Sequence, residues 1–372
     1  MDRRFRWPLA LVAVLTVTLH LAGPARAAEP TVQPAVDGIL AAFATHPLVG
    51  LADRHDLANA LAFYATLVRD PRFATEVGNV VAEFGASQHQ AILDRYLAGK
   101  DVSYAEIAKV WRDTVAWSPT VLGVGYQTFF AQVRAVNLTL APERRIRVLL
   151  TEPPIQWSRI RTKDEWQRIY DTREPHGADQ IVRKILDQKK KALVIYGGAH
   201  FYPYPWPSIW PLPSGGTANL AEIVARTHPD AFYFVSVYGG HGKPECSTAL
   251  EAEMKWPAGV LITPVRGTSL ERTLLRPECT PPYEWLDPAI PAEESARLKK
   301  RLYEMDMGVA GDALLYLAPA AELVNTPVDP TTWMDEAYRK ELERRIRVRG
   351  NRPLSFAELI PLAATPPRRW TP

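Results

Sequence analysis

The stretch ALVIYGGAH, residues 192–200, predicts a buried β-strand that ends in a glycine turn. The run Ala192–Tyr196 is wholly apolar or aromatic, and it is too short for a helix and of a length typical of strands. Two glycines follow it, which permit a tight turn and a close approach of the backbone to a ligand. His200 then ends the turn with a side chain that can exchange protons near neutral pH. We therefore expect a sheet strand with a functional group at its carboxyl end.

Similar short apolar runs recur along the chain, and segments with helical spacing separate most of them. The other runs are Pro47–Ala52, Asn79–Ala82, Arg147–Leu150, Ala231–Val237, Gly259–Thr263 and Ala313–Leu317. Between them, apolar residues recur every three or four positions, most clearly in residues 126–140. Such alternation predicts an α/β protein with a mainly parallel sheet and helices on both faces.

Two proline-rich stretches, Tyr202–Gly216 and Pro277–Pro291, interrupt this alternation and predict irregular loops. After the second stretch, Glu293–Met305 predicts a helix and Ala313–Leu317 a last strand. This C-terminal extension, about residues 283–372, could form a lobe of its own or add its strand to the main sheet. We expect one α/β domain over residues 28–372.

The N-terminus has the three zones of a signal peptide. Three arginines precede an apolar run of 16 residues, Pro8–Gly23, and Ala25-Arg26-Ala27 then provides a small-x-small cleavage pattern. The apolar run is shorter than the roughly 20 residues that span a bilayer. The sequence therefore predicts export to the periplasm or the medium after removal of residues 1–27, with no membrane attachment of the mature chain.

Composition excludes several classes of protein. The formal charge of +3 comes from residues 1–27, which hold four Arg and one Asp, so the mature chain has 40 basic and 40 acidic residues. A balanced charge gives no electrostatic reason to expect nucleic acid as a partner. The two cysteines, Cys246 and Cys279, lack zinc-motif spacing, but in an oxidising compartment they could form one disulfide. The sequence contains no phosphate loop, dinucleotide-binding fingerprint or Gly-x-Ser-x-Gly elbow.

Five consecutive strand ends carry an acid, a histidine or both. These residues are Asp53 and His55 after the first run, Glu83 after the second, Glu152 after the third, His200 after the fourth and His241 after the fifth. Parallel sheets bind ligands outside the carboxyl ends of their strands, so these side chains should share one edge. Mixtures of histidine and carboxylate suit proton transfer or three-point binding of a divalent metal. Arg173, at a predicted helix start, could clamp a carboxylate or phosphate of a substrate.

At these residues the chain resembles the erythromycin esterase/ChaN-like superfamily, which also includes the Tiki/TraB proteins. The resemblance extends from about residue 48 to residue 267, which we take as the domain core. The family pattern is an acid-x-His, then a Glu, then a Gly-x-x-His. It corresponds here to Asp53-Arg54-His55, Glu83 and Gly197-Gly198-Ala199-His200. Glu152 and the pair Arg173-Glu174 also resemble positions at which relatives carry an acid and an Arg-acid pair.

The resemblance implies a three-layer, Rossmann-like α/β/α core with a site at the strand ends. Relatives include esterases of macrolide lactones, metal-dependent proteases and haem-binding proteins of the ChaN type. Our first hypothesis is therefore an exported hydrolase of a small-molecule or peptide substrate. Its proposed catalytic residues are His55, oriented by Asp53, with Glu83 and His200. The proposed ligands of a divalent metal are His55, Glu83 and His200, and the proposed substrate-binding residues are Arg173, Glu152 and His241.

Two alternatives remain open. The first is a protein that binds haem or another apolar ligand under an aromatic loop, which contains Phe201, Tyr202, Tyr204, Trp206 and Trp210. The second is a catalytically degenerate member of the family. Asp53 stands where relatives carry the longer Glu, and Arg54 places a cation beside His55. Either change could disturb a proton relay, which needs heavy-atom distances of about 2.6–3.2 Å.

Overall fold

The computed structural model describes residues 29–116, 123–202, 218–281, 283, 290–350, 355 and 357–358. The predicted signal peptide lies outside the described residues, and so does the aromatic loop after Tyr202. In the described ranges, no helix combines the length and the apolar character needed to cross a membrane.

The described strands form a single eight-stranded sheet. The strands are β1 Thr31–Pro34, β2 Leu48–Asp53, β3 Asn79–Ala86, β4 Arg147–Glu152, β5 Ala192–Gly197, β6 Phe232–Val237, β7 Val260–Thr263 and β8 Ala313–Tyr316. All seven runs predicted from the sequence are strands. The sequence did not indicate β1, because this edge strand is short and mostly exposed and therefore lacks an apolar run.

The sheet is mostly parallel, as predicted. Its order is β1-β7-β8-β6-β2-β5-β3-β4, and β7 runs antiparallel to both of its neighbours. The pairs of β2 with β5 and β6, of β3 with β4 and β5, and of β6 with β8 are parallel. Strand β8 lies between β6 and β7, so the last strand joins the main sheet rather than a separate lobe.

About half of the described chain is helical. The α-helices are α1 Ala35–Ala42, α2 Ala58–Arg69, α3 Pro71–Glu76, α4 Gln90–Leu97, α5 Tyr104–Ile107, α6 Lys109–Arg112, α7 Gly125–Leu138, α8 Lys163–Tyr170, α9 Arg173–Ile181, α10 Leu220–Ala225, α11 Pro244–Met254, α12 Ser269–Leu274, α13 Ala292–Asp306, α14 Thr331–Met334 and α15 Glu336–Val348. A π-helix, Val182–Leu186, extends α9, and a 3₁₀ turn, Gly198–His200, follows β5.

Alternate residues of the central strands belong to different apolar clusters. In β2, Val49 and Leu51 belong to the cluster that contains α2 and α7 side chains. Leu48 and Ala52 of the same strand belong to the cluster that contains α9 and α10 side chains. This division follows from the alternation of side chains along a strand. The central strands are thus buried on both sides, which explains why their sequences read as continuous apolar runs.

A third apolar cluster lies along β7 and β8 and includes the two cysteines. Cys246 lies in α11 and Cys279 follows α12, and a disulfide joins them with a Cα–Cα distance of 5.8 Å. The pairing that the sequence left open is therefore confirmed. The bridge ties the segment after α12 to the helix that follows β6.

Candidate active site

The order of the strands brings four of the predicted side chains to one edge of the sheet. Asp53 is the last residue of β2, and it is in register with Gly197, the last residue of β5. Glu83 lies in β3 on the other side of β5, and Glu152 ends β4 beside β3. All three carboxylates are buried, as is His200 in the turn after β5. Neighbouring strand ends therefore hold an unusual density of buried charge.

Asp53 and His55 form a closely bonded pair. The distance from His55 Nδ1 to Asp53 Oδ2 is 2.9 Å, so the short Asp side chain reaches the imidazole in spite of the missing methylene. Two buried tyrosines also donate hydrogen bonds to Asp53: Tyr64 to Oδ1 at 2.9 Å and Tyr126 to Oδ2 at 2.5 Å. Nδ1 also lies 3.1 Å from the Tyr126 hydroxyl, so two groups engage this ring nitrogen.

His55 Nε2 and one oxygen of Glu83 lie close to the same point, the position that a side chain at Gly197 would occupy. A methyl group at Gly197 would lie 3.0 Å from Nε2 and 3.6 Å from Glu83 Oε2. The His55 side chain is 38 % exposed, whereas that of Asp53 is 2 % exposed. The pair thus has one buried end and one end that solutes can reach.

The charges around His55 favour its protonated form. Burial by itself would lower the pKa of the imidazole. The hydrogen bond to Asp53 and the negative charges of Glu83, Asp53 and Asp56 outweigh this effect and raise the pKa of His55 to about 9. The resting side chain is therefore mainly an imidazolium at neutral pH.

Arg54 donates hydrogen bonds to two backbone carbonyls far along the chain. Its Nε donates to the carbonyl of Val237 at 2.6 Å, and its Nη2 donates to the carbonyl of Asp306 at 2.8 Å. The guanidinium thereby connects the end of β2 to the end of β6 and to α13. The cation that follows Asp53 in the sequence thus binds backbone carbonyls of the C-terminal half of the chain.

Arg173 links the carboxylates of the next two strands. Its Nη2 donates to Glu83 Oε1 at 2.6 Å and its Nε donates to Glu152 Oε1 at 2.5 Å. The backbone amides of Val115 and Ala116 donate to the other oxygen of Glu152, at 2.9 and 3.0 Å. Arg173 is 10 % exposed and already binds two protein carboxylates. Its predicted role in binding a substrate remains a prediction.

His200 lies between two carboxylates. Its Nδ1 is 2.6 Å from Glu174 Oε1, and its Nε2 is 3.3 Å from Glu83 Oε1. Burial opposes the charged imidazole, but the charges of Glu174 and Glu83 raise the pKa of His200 to about 10. In turn, burial would raise the pKa of Glu83, whereas His200, His55 and Arg173 together hold it well below its usual range.

The residues of this cluster do not fit the predicted metal site. Both ring nitrogens of His200 already face carboxylates of the protein, Nδ1 facing Glu174 at 2.6 Å and Nε2 facing Glu83 at 3.3 Å. Glu83 directs Oε1 to Arg173 and receives the Gly197 amide on Oε2 at 2.7 Å. Within the described ranges, no group of three or more His, Cys, Asp or Glu side chains is arranged to hold a metal ion. We therefore derive no step through a metal.

His241 makes its contacts elsewhere. It is 1 % exposed, and its Nε2 lies 2.7 Å from the carbonyl of Leu274, while its backbone amide donates to Ser247 Oγ at 2.6 Å. Burial lowers its pKa. These contacts give His241 a packing role beside the disulfide, and its predicted part in substrate binding remains a prediction.

Sequence reasoning missed three side chains of the site: Glu174, Tyr64 and Tyr126. Glu174 was noted beside Arg173 but was not assigned a role; its Oε1 faces His200 and its Oε2 accepts the Leu220 amide at 2.7 Å. The tyrosines lie on the apolar faces of α2 and α7 and read as core residues. Their hydroxyl groups could have indicated a polar site nearby, since a buried tyrosine hydroxyl usually needs a hydrogen-bond partner.

The sequence matches no known family model and none of the curated proteins with which it was compared. Three solved structures are similar in fold at low TM-scores. The type III effector HopBA1 is 13 % identical, with a TM-score of 0.37, over 57 % of this chain and 88 % of that one. ChaN of Campylobacter jejuni, described with cofacially bound haem, is 12 % identical, with a TM-score of 0.34, over 56 % and 91 %. A bacterial protein toxin is 16 % identical, with a TM-score of 0.31, over 54 % and 36 %. We draw no functional conclusion from similarities at this level.

Proposed function

We propose that the protein is an exported hydrolase in which His55 moves a proton between water and the leaving group. The observation that carries this proposal is the Asp53–His55 pair, bonded at 2.9 Å through Nδ1 while Nε2 faces Gly197 and Glu83. A carboxylate that holds one imidazole nitrogen fixes the tautomer and leaves the other nitrogen as the proton acceptor. The partly exposed position of His55 supports access for a substrate.

The proposed reaction is hydrolysis of an ester or amide of a small molecule or peptide. His55 Nε2 takes a proton from water, and the hydroxide adds to the substrate carbonyl carbon. The imidazolium then returns the proton to the leaving oxygen or nitrogen as that bond breaks, so protons balance over the cycle. Asp53 stabilises the imidazolium. Glu83, anchored by Arg173 and by the Gly197 amide, orients the water molecule.

The pKa of His55 gives this mechanism a distinct pH dependence. Only the neutral imidazole can accept a proton, and at pH 7 a group with a pKa of about 9 is neutral in roughly 1 % of molecules. The rate should therefore rise with pH up to about 9. A rate limited by acid catalysis would fall over the same interval.

The test measures hydrolysis of p-nitrophenyl acetate, p-nitrophenyl butyrate and a macrolide lactone by the mature chain. His55→Gln should lower kcat/KM by at least about 100-fold, the usual contribution of a general base. His228→Gln is the matched control, because His228 is 33 % exposed and also has a carboxylate nearby, Asp187 at 3.9 Å. Equal rates for the two variants would refute the proposed role of His55. Absence of turnover with every substrate would favour the degenerate alternative.

Three further assignments belong to this proposal. We propose that the core is a three-layer, Rossmann-like α/β/α arrangement and that the chain is a distant relative of the erythromycin esterase/ChaN-like superfamily. The division of β2 residues between two apolar clusters and the order of the strand-end motifs support both. We also propose export, supported by the three N-terminal zones of the sequence. The exported protein should begin at or near Ala28 by N-terminal sequencing, and an intact Met1 would contradict export.

A further inference from the structure

A cleft lies next to the site, between the ends of β3 and β4 and helix α15. Its volume is about 700 Å³, within the range of pockets that bind small molecules. Gln88 and His89, shortly after β3, form one wall. Residues 155–158, after β4, form a second wall, and α15 forms the third. None of its lining residues belongs to the cluster around Glu83, so this is a separate cavity.

The cleft and the cluster nevertheless share one loop. Asp113 lines the cleft, and the amides of Val115 and Ala116, two and three residues later, donate to Glu152 of the cluster. Trp157, on the cleft wall, donates through Nε1 to the carbonyl of Thr114 in the same loop at 3.1 Å. Hydrogen bonds thus connect the loop both to the cluster and to the cleft wall.

The acidic side chains of the cleft already have cationic partners. Asp113 Oδ2 lies 2.9 Å from His89 Nε2, and Asp113 Oδ1 lies 3.1 Å from Arg345 Nη2. Burial would raise the pKa of Asp113, but His89 and Arg345 hold it below its usual range. Glu341 pairs with both Arg344 and Arg345 at 2.7 Å. The negative charge of the lining is therefore neutralised from within.

Arg161 remains as the excess cation of the cleft. The lining contains three arginines against two carboxylates, and Arg161 is the exposed member of the three. Its guanidinium donates to the carbonyl of Ile160 at 3.3 Å, and among the described residues no carboxylate lies within ion-pair distance of it. The exposed side chains of Gln156 and Ser158 line the cavity with it as neutral polar groups.

We propose that this cleft binds a small organic carboxylate. Arg161 would take the carboxylate in two-point fashion, a geometry that guanidinium provides and ammonium does not. Gln156 and Ser158 would supply further hydrogen bonds, and the body of the ligand would lie along the wall from Ile155 to Ser158. One face of the Trp157 ring is taken, since the Arg345 guanidinium lies 4.9 Å from the ring centre.

The experiment is calorimetric titration of the mature chain with benzoate and with benzamide, its neutral counterpart of similar shape. Benzoate should bind and benzamide should bind at least about tenfold more weakly, a difference of about 1.4 kcal/mol. Arg161→Gln should weaken benzoate binding to the same extent. Arg159→Gln is the matched control, because Arg159 is also exposed, two residues away and outside the lining. It should change the Kd by less than about twofold.

Three results would overturn the inference: equal affinity for benzoate and benzamide, an unchanged Kd in Arg161→Gln, or no heat of binding for benzoate up to about 10 mM. Binding of sulfate as tight as that of benzoate would also contradict it, because the site would then recognise charge alone. The titration needs no turnover, so failure of the proposed hydrolase function leaves it unaffected.

Discussion

Replacing Arg173 by Met should strongly destabilise the protein. The change keeps an unbranched side chain that reaches about as far as Nε, but it removes the guanidinium that donates to Glu83 and Glu152. The two carboxylate side chains are 6 % and 2 % exposed, so solvent cannot replace the lost partner. Removing one partner of a buried ion pair lowers the free energy of unfolding by about 3–5 kcal/mol. That is a large part of the roughly 5–15 kcal/mol by which a domain is stable.

The assay is urea unfolding followed by tryptophan fluorescence at pH 7. The matched control is Arg183→Met, which removes an i,i+4 pair with Asp179 on a surface where Arg183 is 72 % exposed. Exposed pairs of this kind are worth well under 1 kcal/mol. The control variant should therefore unfold close to the wild type. A loss below about 1 kcal/mol in Arg173→Met would refute the claim that Arg173 neutralises buried charge.

The stability that Arg173→Met loses relative to the wild type should be smaller at acid pH. In the wild type, the pKa of Glu83 is lower in the folded than in the unfolded protein. The ionised Glu83 side chain therefore stabilises the fold above its unfolded pKa of about 4.3, and this contribution is lost as the pH falls through the folded pKa. Without Arg173, the pKa of Glu83 rises, so the deficit should be largest near neutral pH and should shrink below about pH 5. The double variant Arg173→Met/Glu83→Gln should be more stable than additivity predicts by at least about 1 kcal/mol. Strict additivity would show that the two groups do not interact.

Three further predictions follow from the same geometry. Gly197→Ala should abolish hydrolysis while the protein still folds, because the added methyl group would lie 3.0 Å from His55 Nε2. Enzyme assays paired with circular dichroism check this prediction, and full activity would contradict it. The imidazole of His55 should titrate in NMR spectra near pH 9, and Asp53→Asn should move that titration to lower pH. Since the folded pKa of His55 is raised, its stabilising contribution is present below its unfolded pKa of about 6.5 and is lost as the pH rises through 9. Thiol titration of the denatured, unreduced protein should find Cys246 and Cys279 blocked, and replacing both by Ser should cost about 2–5 kcal/mol in urea unfolding.

Much of the sheet could be read from the sequence because its central strands are buried on both faces. A strand in that position must be apolar throughout, so runs such as Ala192–Tyr196 are recognisable without their neighbours. The edge strand Thr31–Pro34 has no such requirement and was missed. The polar residues at the strand ends were also recognisable, since a carboxylate or histidine directly after a buried apolar run stands out from its context.

The partners of those polar residues could not be read in the same way. Glu83 was predicted to belong to a site, but its ion pair with Arg173 joins residues 90 positions apart. Tyr126 and Asp53 are separated by 73 positions, and α7 in isolation presents Tyr126 as an ordinary apolar-face residue. Arg54 shows the reverse case, because its adjacency to His55 in the chain suggested an effect on that residue, whereas its guanidinium donates to the backbone carbonyls of Val237 and Asp306.

The sequence by itself determined which segments form seven of the eight described strands and which chemical groups lie at or near their carboxyl ends. These are local properties, set by side-chain polarity and by the period of the backbone. The tertiary structure alone decided the order β6-β2-β5-β3-β4 and, through it, which charges meet. Strand order depends on how helices pack over the whole sheet, and interactions between distant segments leave no local trace in the chain. For that reason the polar groups at the strand ends were recognisable in the sequence, whereas their partners Tyr64, Tyr126 and Glu174, and the bonds that set the protonation of His55 and His200, were not.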